Sequence, residues 1–89
     1  MEYGMIVATR GVADEMENNP TFAGEVNAAF SRYQRGDWGD LCQEDRESND
    51  RAVKDGERIL AAYNTSIGTI WIITEWDRSA TTILFPSEY

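Results

Sequence analysis

Tyr3, Met5 and Val7 alternate with Ile6 and Ala8 in a short apolar run stopped by Gly11, and this period of two predicts a strand over residues 3–9. The stretch 12–18 is acidic, with Asp14, Glu15 and Glu17, and is followed by Asn19-Pro20, a helix cap with proline at the first helical position. A main helix is therefore expected from Pro20. Along it Phe22, Val26, Ala29, Phe30 and Tyr33 recur at spacings of three, four and seven, so they share one face, while Arg32, Gln34 and Arg35 face water and Gly36 ends the element. Residues 36–40, Gly-Asp-Trp-Gly-Asp, lack periodicity and read as a loop.

From Leu41 to Asp55 the residues Leu41, Cys42, Asp45, Ser48, Asn49, Ala52 and Val53 form a helical stripe whose middle is polar, which predicts a helix with a broad wet face ending at Gly56. Residues 58–63, 69–76 and 81–85 are rich in β-branched and aromatic side chains and predict three strands. The breaks between them, residues 64–68 and 77–80, are hairpin-sized and carry turn residues, so the strands should pair antiparallel as a meander. The expected fold class is α+β: an N-terminal strand, two to three helices, then a three-stranded antiparallel meander with the helices on one face. In the middle strand Ile70, Ile72, Thr74 and Trp76 alternate with Trp71, Ile73 and Glu75, so both faces are largely apolar and one is left for a partner, a second copy included.

Length adds that one core is expected, a single domain over residues 1–89. A chain this short buries only about two thirds of its unfolded surface, which makes docking on a partner plausible. Charge changes the picture more. Sixteen acidic residues stand against eight basic ones with no histidine, a formal charge of −8, and such a field repels a phosphate backbone or an anionic membrane. The expected partner is a protein, with no direct contact to nucleic acid or membrane. A single cysteine, Cys42, cannot close an internal disulfide and reads as a small core filler. That cysteine, an N-terminus without a basic start, and the absence of any run near 20 apolar residues place the chain in the cytoplasm.

Candidate chemistry is sparse. There is no histidine for general acid–base work, no glycine-rich phosphate loop and no Cys/His pattern suited to zinc, so neither an enzyme nor a bound cofactor is expected. Asp37, Asp40 and Glu44 could converge on Mg²⁺ or Ca²⁺, but the spacing lacks the glycine and bidentate glutamate of an EF-hand, so no metal is expected. Residues 37–57 hold eight carboxylates against Arg46, Arg51 and Lys54, and carboxylates spaced along a helix can imitate a line of phosphates; a solvated outer face is the plainer reading. Trp38, between two glycines, either anchors an interface or caps the core. Trp71 and Trp76 read as sheet packing, and Arg78 as the partner of Asp77 or Glu75 in an exposed contact.

Gly36-Asp37-Trp38-Gly39-Asp40-Leu41, Arg58-Ile59-Leu60 and above all the run from Ile70 to Pro86, Ile-Trp-Ile-Ile-Thr-Glu-Trp-Asp-Arg-Ser-Ala-Thr-Thr-Ile-Leu-Phe-Pro, resemble a family of short bacterial proteins. These are known as plasmid-related proteins or as subunit M of a type I restriction system. The resemblance covers nearly the whole chain and implies carriage on plasmids, integrative elements or phages; it implies no catalytic residues. The second name does not fit these residues, because a methyltransferase needs a cofactor loop and an Asn/Asp-Pro-Pro-aromatic motif. A small, acidic cargo protein of a mobile element resembles, in general character, the inhibitors used against restriction and CRISPR systems. The resulting expectation is a non-enzymatic binding protein of the anti-CRISPR or anti-restriction kind, touching its target through Asp37, Trp38, Asp40, Glu44, Asp45, Glu47 and Asp50 as a possible nucleic-acid mimic. The alternative is a dimerising adaptor or regulatory accessory protein of the element.

Overall fold

The computed structural model describes residues 1–89. Its elements run β1 (Met5–Ala8), α1 (Arg10–Asn18), α2 (Pro20–Gln34), α3 (Gln43–Asp55), β2 (Ile59–Thr65), β3 (Gly68–Thr74), β4 (Ala80–Leu84) and a closing 3₁₀ turn, Pro86–Glu88. The architecture is α+β. β2, β3 and β4 form the expected antiparallel meander, and β1 adds itself parallel to β4, so one mixed sheet has the order β1-β4-β3-β2.

Two helices start on side-chain caps. The Asn19 side chain accepts from the Phe22 amide at 3.1 Å ahead of Pro20, as the sequence signals. α1 covers the acidic stretch for which the sequence predicts no element: Thr9 caps it, with its hydroxyl 3.5 Å from the Val12 amide, and Gly11 lies inside the helix instead of stopping a strand. The C-terminus completes this cap. One Glu88 carboxylate oxygen takes the Thr9 hydroxyl (2.5 Å) and the Phe85 amide (3.0 Å), and the other takes the Gly11 amide (3.0 Å), a negative charge set at a helix N-terminus. These bonds, that from Thr9 foremost, hold Glu88 below the usual carboxylate range.

The core lies between the helices and one sheet face. Val12 of α1, Phe22, Val26, Ala29 and Tyr33 of α2 and Ala52 of α3 meet Ile59, Ala61, Tyr63, Ile70, Ile72 and Ile83 of the sheet. The opposite face is less open than its composition suggests. Tyr89, just past the C-terminal turn, stands edge-on to Trp71 with centroids 5.7 Å apart, while Arg58 lies over the Tyr89 ring and donates to its hydroxyl at 2.8 Å. Trp76 lies outside β3, which ends at Thr74, and is 67% exposed in the turn to β4. Cys42 also departs from expectation: it sits exposed before α3, because the stripe it was assigned to begins only beyond the helix start.

Polar groups inside the core form one directed chain. Tyr33 Oη lies 2.5 Å from Thr74 Oγ1, Thr74 Oγ1 lies 2.8 Å from Thr81 Oγ1, and Thr81 donates at 2.7 Å to the Tyr3 carbonyl. A carbonyl only accepts and each hydroxyl has one proton, so the order is forced: Tyr33 donates to Thr74, Thr74 to Thr81, Thr81 to Tyr3. Three elements, α2, β3 and β4, and the segment before β1 are tied by it, and no buried side-chain polar atom is left without a partner.

Thr74→Val breaks this chain in the middle and strands donors or acceptors on both sides, so it should cost about 1–3 kcal/mol. Tyr33→Phe removes only the terminal donor and should cost less, about 1 kcal/mol, a ranking that urea titration with matched slopes reads directly. Burial pushes Tyr33 from 10.0 to about 12. A raised folded-state value means stability is intact below pH 10 and falls as pH climbs towards 12, and the decline should be shallower in Tyr33→Phe when followed by circular dichroism.

Candidate functional site

The loop 35–40 carries three of the residues nominated as partner contacts, and each makes bonds within the chain, Trp38 buried and Asp37 and Asp40 exposed. α2 ends as the Arg35 amide bonds the Arg32 carbonyl (3.0 Å) and the Gly36 amide bonds that of Tyr33 (3.1 Å). Asp37 then receives Arg32 through two bonds, Nε at 2.8 Å and a terminal nitrogen at 3.2 Å, and its Oδ1 also accepts from the Gly39 amide at 3.0 Å. The Arg32 bond, first among these, holds Asp37 below the ordinary carboxylate range, and Arg32 in turn is raised. Arg32 also stacks 5.2 Å above the Tyr63 ring, whose hydroxyl donates to the Asp37 carbonyl at 2.7 Å.

Trp38 is a cap over the core and not an exposed anchor: it is 4% accessible, lies edge-on to Tyr33 at 5.3 Å, and its indole N–H donates to Asp50 Oδ1 at 2.9 Å. The two glycines around the tryptophan form the expected loop. Gly39 adopts φ +79° because the chain there presses against β2, where a β-carbon would collide with the Ala62 carbonyl. The Asp40 amide donates to that carbonyl at 2.7 Å, and the Ala62 amide reaches the Trp38 carbonyl at 3.4 Å. Asp40 Oδ2 accepts from the Asn64 amide at 2.9 Å.

Asn49 extends the same closure. Buried against β2, it donates to the Leu60 carbonyl at 2.9 Å and accepts from the Leu60 amide at 3.4 Å, so a side chain imitates a neighbouring strand. Its placement in the middle of the helical stripe was the available signal: a polar residue on a buried face needs a partner there. The ion pair expected of Arg78 with Asp77 or Glu75 does not form. The Arg78 guanidinium donates to the carbonyls of Ala52 (3.0 Å), Glu57 (2.7 Å) and Glu75 (3.1 Å), clasping the end of α3 to the β3–β4 turn.

Of the seven nominated residues, Asp37, Trp38, Asp40 and Asp50 therefore hold the loop, α3 and β2 together. Glu44, Asp45 and Glu47 remain exposed on the first turns of α3. The protein's ion pairs are Arg10–Asp14, Arg32–Asp37 and Arg58–Glu75, so Arg46, Arg51 and Lys54 neutralise none of the α3 carboxylates directly. At about 100° per residue, however, Arg51 and Lys54 come round to the same outward side as Glu47 and Asp50, so the negative surface is confined to the N-terminal half of the helix. The metal alternative is not assembled: Asp37 and Asp40 are spent on Arg32 and on the Asn64 amide, and no group of three or more potential ligands comes together.

Beside Trp38 an open groove of about 480 Å³ is bordered by Tyr3, Tyr33, Val53 and Lys54. No helix is long and apolar enough to cross a membrane. Comparison with protein-family models, curated proteins and solved structures finds no match to this chain.

Asp50→Ala should leave the buried indole N–H of Trp38 without an acceptor at a cost of about 1–2 kcal/mol. The chemical shift of that indole proton and the urea midpoint measure it, and no change in either would show that Asp50 does not hold the loop.

Proposed function

We propose that this chain is a non-enzymatic, cytoplasmic protein of a bacterial mobile element or phage that docks on a nucleic-acid-handling defence complex of the host and inhibits it. The observation that carries the reading is the exposed trio Glu44, Asp45 and Glu47 at the start of α3, free of any ion pair on a molecule with a formal charge of −8. A protein groove built to hold a phosphate backbone is positive and attracts such a surface by the same field. The trio belongs to a rigid helix tied to the sheet by Asn49 and, through Arg78, at its far end, so its carboxylates are presented with little conformational freedom to lose on binding. Exposed Cys42 beside the trio suits a reducing compartment.

Of the seven residues expected from the sequence, Trp38 is buried, and Asp37, Asp40 and Asp50 are exposed but also bonded to other parts of the chain, so the reading rests first on Glu44, Asp45 and Glu47. Mimicry of an extended run of phosphates is correspondingly less well supported than a compact acidic contact.

The test is cleavage of DNA by purified restriction and CRISPR effector complexes in the presence of the protein. Wild type should slow an effector it binds, affinity should fall as salt rises, and the triple variant Glu44→Lys, Asp45→Lys, Glu47→Lys should weaken binding by at least about tenfold while leaving the fold intact. Inhibition that survives the triple reversal removes the acidic contact, and wild type without effect on any effector removes the reading.

A further inference from the structure

The two edges of the sheet are treated in opposite ways. On β2 the outward-facing backbone at Leu60, Ala62 and Asn64 is met in turn by Asn49, by the 38–40 loop and by Asp40. On β1 the Met5 and Thr9 amides donate to Ser79 and Ile83 carbonyls at 3.0 Å, so the odd-numbered residues face β4 and the backbone of Ile6 and Ala8 points to the free edge. No strand, loop or side chain is bonded there. Met5, Ile6 and Val7 are 70%, 50% and 37% exposed, and the strand has none of the lysines, prolines or bulges that usually blunt an edge.

We propose that this edge is a homodimer interface, in which β1 pairs antiparallel with β1 of a second copy about a two-fold axis and joins the two sheets into one of eight strands. Ile6 and Ala8 of each copy exchange backbone bonds with Ala8 and Ile6 of the other, and Val7 meets Val7 at the axis.

Charge selects this occupant and this direction. Residues 3–9 are uncharged and flanked by Glu2 on one side and Arg10 on the other, both exposed, and Arg10 makes only a loose 3.7 Å contact with Asp14. Antiparallel pairing brings Glu2 of each copy towards Arg10 of the other, whereas parallel pairing would set like charges together. The acidic α3 is anchored to β2 at the far edge. Pairing through β1 thus separates the two copies of β2 by roughly 34 Å, seven strand spacings, several times the Debye length of about 8 Å at physiological salt. A molecule of charge −8 can associate with itself through this edge with least repulsion from α3.

The interface is independent of the acidic contact proposed above, so the α3 triple reversal should leave it in place and either idea can fail alone. Sedimentation of the full chain across a concentration series should show a monomer–dimer equilibrium. Ala8→Pro removes an outward amide that bonds nothing within the monomer, so it should keep the fold and weaken dimerisation by at least about tenfold. In the wild-type dimer the Ile6 and Ala8 amides should exchange slowly with solvent and become fast on dilution, a measurement that decides the matter even if the variant folds poorly. A monomer persisting to about 0.5 mM, a dimer that Ala8→Pro leaves unchanged, or fast exchange at Ile6 and Ala8 within the dimer would overturn the proposal.

Discussion

Backbone amides and carbonyls at a sheet edge bond either to water or to protein, and on β2 the protein itself supplies the partners. Leu60, Ala62 and Asn64 present their backbone outward at alternate positions, and three different devices meet them: the amide side chain of Asn49, the main chain of residues 38–40, and the carboxylate of Asp40. The loop can lie that close only because Gly39 has no side chain and takes a positive φ. Once it lies there, Trp38 is carried over Tyr33 and its indole reaches Asp50, which fixes where α3 crosses the edge. The loop nominated from the sequence as a partner contact is also a clamp.

That outcome explains which parts of the fold were legible. α2 was readable because its signals are local: Asn19 and Pro20 start it, the apolar positions keep one period, and Gly36 ends it. The three strands of the meander were readable for the same reason, with hairpin turns between β-branched runs, although β3 stops at Thr74 and leaves Trp76 outside. α1 was lost because Gly11 and a run of carboxylates obscure a helix whose N-terminus is completed by Glu88, 77 residues away from Gly11. The parallel seat of β1 beside β4 likewise depends on pairing across nearly the whole chain, and period-two alternation says nothing of which neighbour a strand will choose.

The candidate site was the least legible part. A carboxylate offered to a partner and a carboxylate spent on a backbone amide are the same letter, and the distinction lies in contacts made 12 residues away for Asp50 and 24 for Asp40. Hydrogen bonding separates them and burial does not, since Asp37, Asp40 and Asp50 are exposed just as Glu44, Asp45 and Glu47 are. Charge counting over residues 37–57 sums carboxylates that hold the loop and α3 in place with carboxylates that bond nothing beyond their own helix.

Magnitudes then separate the surface from the scaffold. An exposed ion pair such as Arg58–Glu75 stabilises by less than about 1 kcal/mol, and the unpaired carboxylates at 44, 45 and 47 contribute only through the helix dipole and the net field. A buried donor left without its acceptor, as at Trp38 or along the Tyr33–Thr74–Thr81 chain, costs about 1–3 kcal/mol, a large share of the stability expected of so small a domain. The first turns of α3 and the free edge of β1 are therefore the places where sequence can change without threatening the fold. The edge is the more demanding of the two. A bare carboxylate is at rest in water, whereas three successive exposed apolar side chains beside open backbone groups carry a cost that pairing with another strand would remove.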